Sequence, residues 1–184
     1  MLFNRDKVIL DLCGGTGAWS KPYKDAGYDA QIVTLPNDDI RLFEVTERVY
    51  GILAAPPCTE FAVSGARWWS SKSNLDLLHG LSVLDACLRI IFISKPVFWC
   101  LENPVGRINK YIGPPLMYFN PCDYGDPYTK KTGLWGKFNK PVIKNPVEPT
   151  EGSKMHLYPP SKNRAALRAI TPPGFAKAFF EANL

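Results

Sequence analysis

Four apolar runs, each stopped by glycine, proline or a polar residue, constrain this chain more than any other feature. Val8–Leu12 runs into glycines, "DAQIVTL" (29–35) stops before Pro36, "VYGILAAP" (49–56) reaches a proline pair, and "VFWCLEN" (97–103) ends on a carboxylate and an amide. Short, nearly continuous apolar runs bounded by turn residues predict strands buried on both faces. Between the first two, "GAWSKPYKDAG" (17–27) reads as a helix ending at Gly27. Between the last two, residues 74–94 carry apolar side chains at helical spacing, with Asn74 as the cap and Lys95-Pro96 as the stop. Strand, helix, strand, strand, helix, strand is the rhythm of a parallel sheet with helices on its faces.

Beyond Gly106 the texture changes. Residues 107–162 are rich in proline, lysine, glycine and aromatics, with short strands expected at 116–119 and 132–135. Residues 137–162 read as an irregular basic excursion, and "TPPGFAKAFFEAN" (171–183) as a closing helix started by proline. With 184 residues and 46% hydrophobic composition, one domain with a full core is expected. No boundary or repeat divides it.

Bulk chemistry narrows the class. Lys and Arg number 22 against 17 Asp and Glu, a net charge of +5 that is compatible with a polyanionic partner without demanding one. The five cysteines, at 13, 58, 87, 100 and 122, are odd in number and form no CxxC pair. That argues against a disulfide framework or a zinc site and for reduced thiols in the cytoplasm. Arg5, Asp6 and Lys7 precede only a short apolar run, unlike a signal peptide. The uninterrupted apolar stretches fall short of the roughly 20 residues that span a bilayer.

Three places carry chemistry. In "DLCGGTGAWS" (11–20), a strand ends at Asp11 and turns through Gly14, Gly15 and Gly17. Such a turn suits a nucleotide-type ligand at the carboxyl edge of a sheet, and equally a tight turn with no ligand. In "APPCTEF" (55–61), two prolines fix the backbone after a strand and present Cys58. A thiol there can serve as a nucleophile, whereas the other four cysteines read as small buried hydrophobes. In "CLENP" (100–104), Glu102 ends another apolar strand. Burial raises a carboxyl's pKa and suits it to proton donation, although a strand-end glutamate can also simply bond nearby amides.

Asp-Leu-x-Gly-Gly-x-Gly, Pro-Pro-Cys and Glu-Asn, in that chain order, resemble the DNA (cytosine-5) methyltransferases. "PPCTEFAVSG" (56–65) is similar to the family's nucleophile loop and keeps Phe61 and Gly65. "CDYGDPYTKKTGLWG" (122–136) resembles the family's Tyr-Gly-Val-Pro-Gln-x-Arg-x-Arg stretch, and 171–179 its closing helix. The chain also resembles the very short homologues that phages carry.

The resemblance implies a doubly wound Rossmann-like α/β sheet, S-adenosylmethionine as cofactor and DNA with a flipped cytosine as substrate. Cys58 matches the nucleophile that adds to carbon 6, Glu102 the carboxyl at ring nitrogen 3, and Lys130 the first cation of the Arg-x-Arg pair. The cofactor would be held by Asp11, Cys13, Gly14, Gly15, Thr16, Gly17, Asp38, Asp39, Ile40 and Pro56. Substrate contacts would come from Phe61, Ser64, Gly65, Arg67, Trp68, Trp69, Asn103, Lys131 and Thr132. Cys13 replaces the family's aromatic, Thr132 its second arginine, and Arg168-Ala169-Ile170 its Gly-Asn-Ala.

Only 137–162, with Lys137, Lys140, Lys144, Lys154, His156, Tyr158 and Lys162, stands where the family has a target-recognition domain, and an ordinary solvated loop reads equally well. Of the two adjacent tryptophans in "RWWSSK" (67–72), one could stack on a base while the other packs inside. Three readings follow: a DNA cytosine-5 methyltransferase, the same chemistry on RNA or single-stranded DNA, or an idle module that binds nucleic acid or a protein.

Overall fold

The computed structural model describes residues 3–153, 155, 157–161 and 163–184; Lys154, His156 and Lys162 of the basic excursion lie outside them. Its centre is one six-stranded sheet in the order β2-β1-β3-β4-β6-β5. The strands are β1 (Val8–Leu12), β2 (Asp29–Val33), β3 (Val49–Ala54), β4 (Phe98–Pro104), β5 (Met117–Phe119) and β6 (Thr132–Lys137). β1 to β4 are mutually parallel, as the apolar runs require. β6 runs antiparallel to β4, and β5 to β6, so the sheet is mixed rather than wholly parallel.

Alternation of side chains splits the interior in two. Val8, Leu10, Leu12, Ile52, Ala54 and Leu101 pack on α2 (Asn74–Ser94) through Val83, Leu84, Cys87, Ile90 and Ile91. Ile9, Leu53, Phe98 and Cys100 face Tyr23 of α1 (Lys21–Asp25) and Phe175 and Phe179 of α5 (Pro173–Ala182). Helices on both faces make the fold doubly wound. Chain order leaves β1 toward β2 on one side and β3 on the other, so a crevice opens between β1 and β3 at their carboxyl ends, where ligands of such sheets sit.

Two helix ends differ from expectation. The first helix covers only Lys21–Asp25, because the chain before it turns through Gly15 and Gly17 at φ +55° and +71°. The cap of α2 is Ser73, not Asn74: its Oγ accepts from the Asp76 amide at 3.2 Å while the Asp76 carboxylate takes the Ser73 amide at 2.9 Å. By length and composition α2 could cross a bilayer, but one face of it forms the core.

Past the sheet, the arms bearing Cys58 and Glu102 are joined. Ala62 and Gly106 form an antiparallel bridge, Val63 donates to the Val105 carbonyl at 2.8 Å, and Arg107 donates to Phe61 at 2.8 Å. A Cβ on Gly106 would lie 1.8 Å from the Phe61 carbonyl oxygen. Gly106→Ala is therefore expected to destabilise by about 2–4 kcal/mol. At Gly65 the nearest atom to an added Cβ is 3.8 Å away, so Gly65→Ala should stay within about 0.5 kcal/mol of wild type by urea denaturation.

Residues 138–153 form no helix or strand and run as a strap rather than a lobe. The strap leaves β6 at Lys137, level with Trp99 at the amino end of β4. It is tied to the end of α5, where the Asn139 amide donates to Asn183 Oδ1 at 2.7 Å and Lys144 pairs with Glu181. It returns to the opposite rim, where Thr129 donates to the Gly152 carbonyl at 2.8 Å. Two short helices are missed in the sequence: α3 (Asn109–Ile112), after β4, and α4 (Arg164–Ala169), which follows beside that rim.

Candidate active site

β3 and β4 are parallel neighbours with Ala54 level with Leu101. Glu102 is thus level with Ala55, at the root of the Pro56-Pro57-Cys58 turn. The Asn103 side-chain amide donates to the Pro56 carbonyl at 2.9 Å and ties the two strand ends together. Cys58 anchors its own loop, its carbonyl accepting from Phe61 and Ala62 at 2.9 and 2.8 Å.

Electrostatics link the groups at this rim. Burial pushes the Cys58 thiol up, the Glu102 charge pushes it further, and Lys130 and Arg168 pull it down. Glu102 is itself raised, by burial first, with Lys130 opposing. Both shifts favour the neutral forms, as desolvation does for an acid. The Lys130 ammonium donates to the Arg168 carbonyl at 2.9 Å, which brings α4 over the rim. Arg168 stands where the resemblance expects a neutral residue, and no local pattern could have placed it beside Cys58.

The glycine turn closes over Asp11. Its carboxyl is fully buried, accepts from Ser20 Oγ at 2.6 Å, and keeps Oδ1 without a hydrogen bond among the described residues. A Cβ on Gly14 would fall 2.3 Å from that carboxyl carbon, so only glycine lets the turn sit there. Gly15 and Thr16 are exposed, and nothing would meet a Cβ on Gly15 within 4 Å. Cys13 takes φ +58°, and its thiol is held down by a hydrogen bond with buried Cys87.

Beyond β2, a cavity of about 380 Å³ is lined by Asn37, Asp38, Asp39, Leu42, Phe43 and Glu44. Arg41 Nε donates to both Asp39 oxygens at 2.9 and 3.1 Å, and its guanidinium holds that carboxyl down at about 2.

Asp11 gives a stability prediction. Burial raises its pKa from 3.8 to about 6, so between those values the unfolded chain ionises while the native carboxyl stays protonated. The stabilisation is therefore present at low pH and lost as pH rises through about 6, an effect of roughly 3 kcal/mol. Asp11→Asn should remove that loss, which would be read as the difference between the two proteins' urea midpoints from pH 4 to 7.

Several of the residues expected at ligands are buried. Phe61 and Ile40 are buried in the core facing α2. Thr132 is buried with its hydroxyl donating to the Lys130 carbonyl at 2.8 Å. Asn103 is buried and Asp11 lies beneath the turn, so both brace the site from inside. The tryptophans divide: Trp68 is 55% exposed, with Arg67 5.1 Å from its ring, whereas Trp69 is half-buried beneath Arg107. Ser64, Arg67 and Lys131 are exposed, and Gly65 is half-buried.

No protein-family model matches the chain. It is 24% identical over 168 residues to the Type II methyltransferase M.DdeI of Desulfomicrobium norvegicum, a match covering 67% of this chain and 38% of that protein. Among solved structures it resembles a presumed DNA modification methyltransferase encoded within an E. coli prophage, at 18% identity and TM-score 0.49, over 71% of this chain and 46% of the other. The chain thus spans less than half the length of each of these two proteins.

Proposed function

We propose that this chain transfers a methyl group from S-adenosylmethionine to carbon 5 of cytosine in DNA, through a covalent bond between Cys58 and carbon 6, in the cytoplasm. The observation that carries the reading is that Glu102, at the end of the strand beside the Cys58 turn, lies close enough to push the Cys58 thiol up, at one rim beside the crevice where the glycine turn lies. The named type II methyltransferase among its relatives supports the same class.

The protonation states suit the chemistry. With its pKa raised, Glu102 can hold a proton and donate it toward ring nitrogen 3, which makes carbon 6 a better electrophile. The thiol proton can pass to the Glu102 carboxylate, leaving thiolate and carboxylic acid with no net change in charge. That transfer removes the negative charge that raises the thiol, while Lys130 and Arg168 stabilise the thiolate. Sulfur then adds to carbon 6 and carbon 5 becomes nucleophilic. Once carbon 5 carries the methyl group, loss of its proton to solvent and expulsion of Cys58 as thiolate finish the cycle.

The residues at the crevice fit the cofactor. Exposed backbone at Gly15 and Thr16, together with Asp38 and Glu44 in the cavity beyond β2, suits a ligand bearing amines and positive charge, Asp39 being taken up by Arg41. When bound, S-adenosylmethionine supplies an electrophilic methyl group. Trp68 with Arg67 offers a stacking face for a base of the substrate, and Lys131 a phosphate contact.

DNA carrying 5-fluorocytosine is the test, since fluorine blocks the last elimination. Mass spectrometry should find the adduct on Cys58 in the presence of cofactor. An adduct on Cys13 or Cys122, or none on duplex DNA, single-stranded DNA or RNA, would refute the reading. Bisulfite sequencing of DNA from cells expressing the chain reports the sequence context.

A further inference from the structure

Glu60, two residues beyond Cys58, has no role in the chemistry above, yet three segments converge on it. Its Oε1 accepts from Lys72 Nζ at 2.7 Å, and the same ammonium donates to the Thr59 carbonyl at 3.0 Å. Its backbone carbonyl accepts from Arg107 Nε at 2.6 Å. Its Oε2 is buried without a hydrogen bond among the described residues, 3.8 Å from the Arg107 guanidinium. That guanidinium lies 4.7 Å from the centre of the Trp69 ring. Beneath the cluster, a Cβ on Gly80 of α2 would lie 3.0 Å from Glu60 Cγ, so the stem of the glutamate rests on bare helix backbone.

The two ion pairs are largely shielded, with side-chain exposures of 13% for Glu60, 14% for Arg107 and 24% for Lys72. Shielded pairs are screened less by salt than surface ones, and removing one partner leaves buried charge uncompensated. Lys72 closes the 3-10 stretch Val63–Ser71 that carries both tryptophans, and Arg107 opens the chain after β4.

We infer that Glu60 is a positioning residue. Through Lys72 and Arg107 it locks the Cys58 turn, the double-tryptophan stretch and the exit of the Glu102 strand into one unit. Trp69 is the part of that stretch held by the lock, and Trp68 is the part left free to meet substrate. The consequence for turnover rests on the proposed methyl transfer; the lock itself does not.

Two variants test it: Glu60→Gln, which removes the charge but keeps the backbone contact to Arg107, and Arg107→Lys, which keeps the charge but loses the fork. The first readout needs neither cofactor nor DNA. Iodoacetamide labelling followed by mass spectrometry should show Cys58 reacting about tenfold faster in both variants. Cys87 and Cys100, buried in the two cores, should stay protected. Hydrogen exchange of the 59–72 peptide should quicken by a similar factor. Unchanged labelling and exchange, or equal exposure of Cys87 and Cys100, would overturn the assignment, the latter by revealing global loosening. In methyl transfer, Glu60→Gln should lower kcat about tenfold with KM for the cofactor within twofold. If wild type transfers no methyl group yet Cys58 labelling responds as expected, the lock stands and the methylation reading falls. A lowered cofactor affinity with unchanged kcat would refute the positioning role.

Discussion

Replacing Cys58 by serine is expected to abolish methyl transfer to DNA, by a factor on the order of 10⁵ or more, as when other enzymes lose their nucleophile. A serine hydroxyl at this rim lacks an acidity that two neighbouring cations could exploit, and it adds poorly to a pyrimidine ring. Fold and DNA binding should survive, because Cys58 holds its loop through its backbone carbonyl rather than its sulfur. The measurement is incorporation of a labelled methyl group alongside a gel-shift assay. Equal binding with no transfer by either protein would mean that the thiol is idle and the chain is a binding module. Transfer retained by the variant would place the chemistry elsewhere.

Replacing Glu102 by glutamine should produce two opposite effects. Methyl transfer should fall roughly 10²–10⁴-fold, the usual cost of losing a positioned acid–base group. Cys58 should meanwhile become more reactive toward iodoacetamide at pH 8, because a negative charge that raises its thiol has gone. Wild-type labelling should climb with pH past the ordinary thiol range, and the variant's curve should sit at lower pH. A loss of transfer within twofold, or a labelling curve that does not move, would separate the two groups and remove the basis for pairing them. Glutamine matches the shape of glutamate, so misfolding is not expected to mimic either outcome.

The parts of this architecture that local pattern encodes could be read from the chain. β1, β3 and β4 carry apolar residues along most of their length because both faces are covered, whereas the edge strand β2, with Asp29 and Gln31, is buried only at Val33; α2 repeats at helical spacing over 21 residues. Direction within the sheet could not be read. β5 and β6 are short, and whether such strands run with or against β4 depends on how the connection folds back. Burial inside the matched motifs was equally hidden. Phe61 and Thr132 sit near reactive residues in sequence, but the local fold turns both side chains inward. The contributions of Arg168 and Glu60 belong to tertiary structure. Arg168 reaches the rim only because the strap carries the chain back across the molecule. Glu60 matters because Lys72 and Arg107 happen to meet it. In the basic strap, the pairing of Lys144 with Glu181 likewise belongs to tertiary structure.

The bridge between Ala62 and Gly106 has a mechanical corollary. Two arms that spring from adjoining strands and are sewn together again beyond them drift as one piece under thermal agitation, so the gap between sulfur and carboxyl is nearly fixed. On the proposed methyl transfer, such a site would not grasp its target by closing those two jaws. The pyrimidine itself would have to make the journey, leaving its neighbours in the helix at a cost of a few kcal/mol that would fall on the nucleic acid.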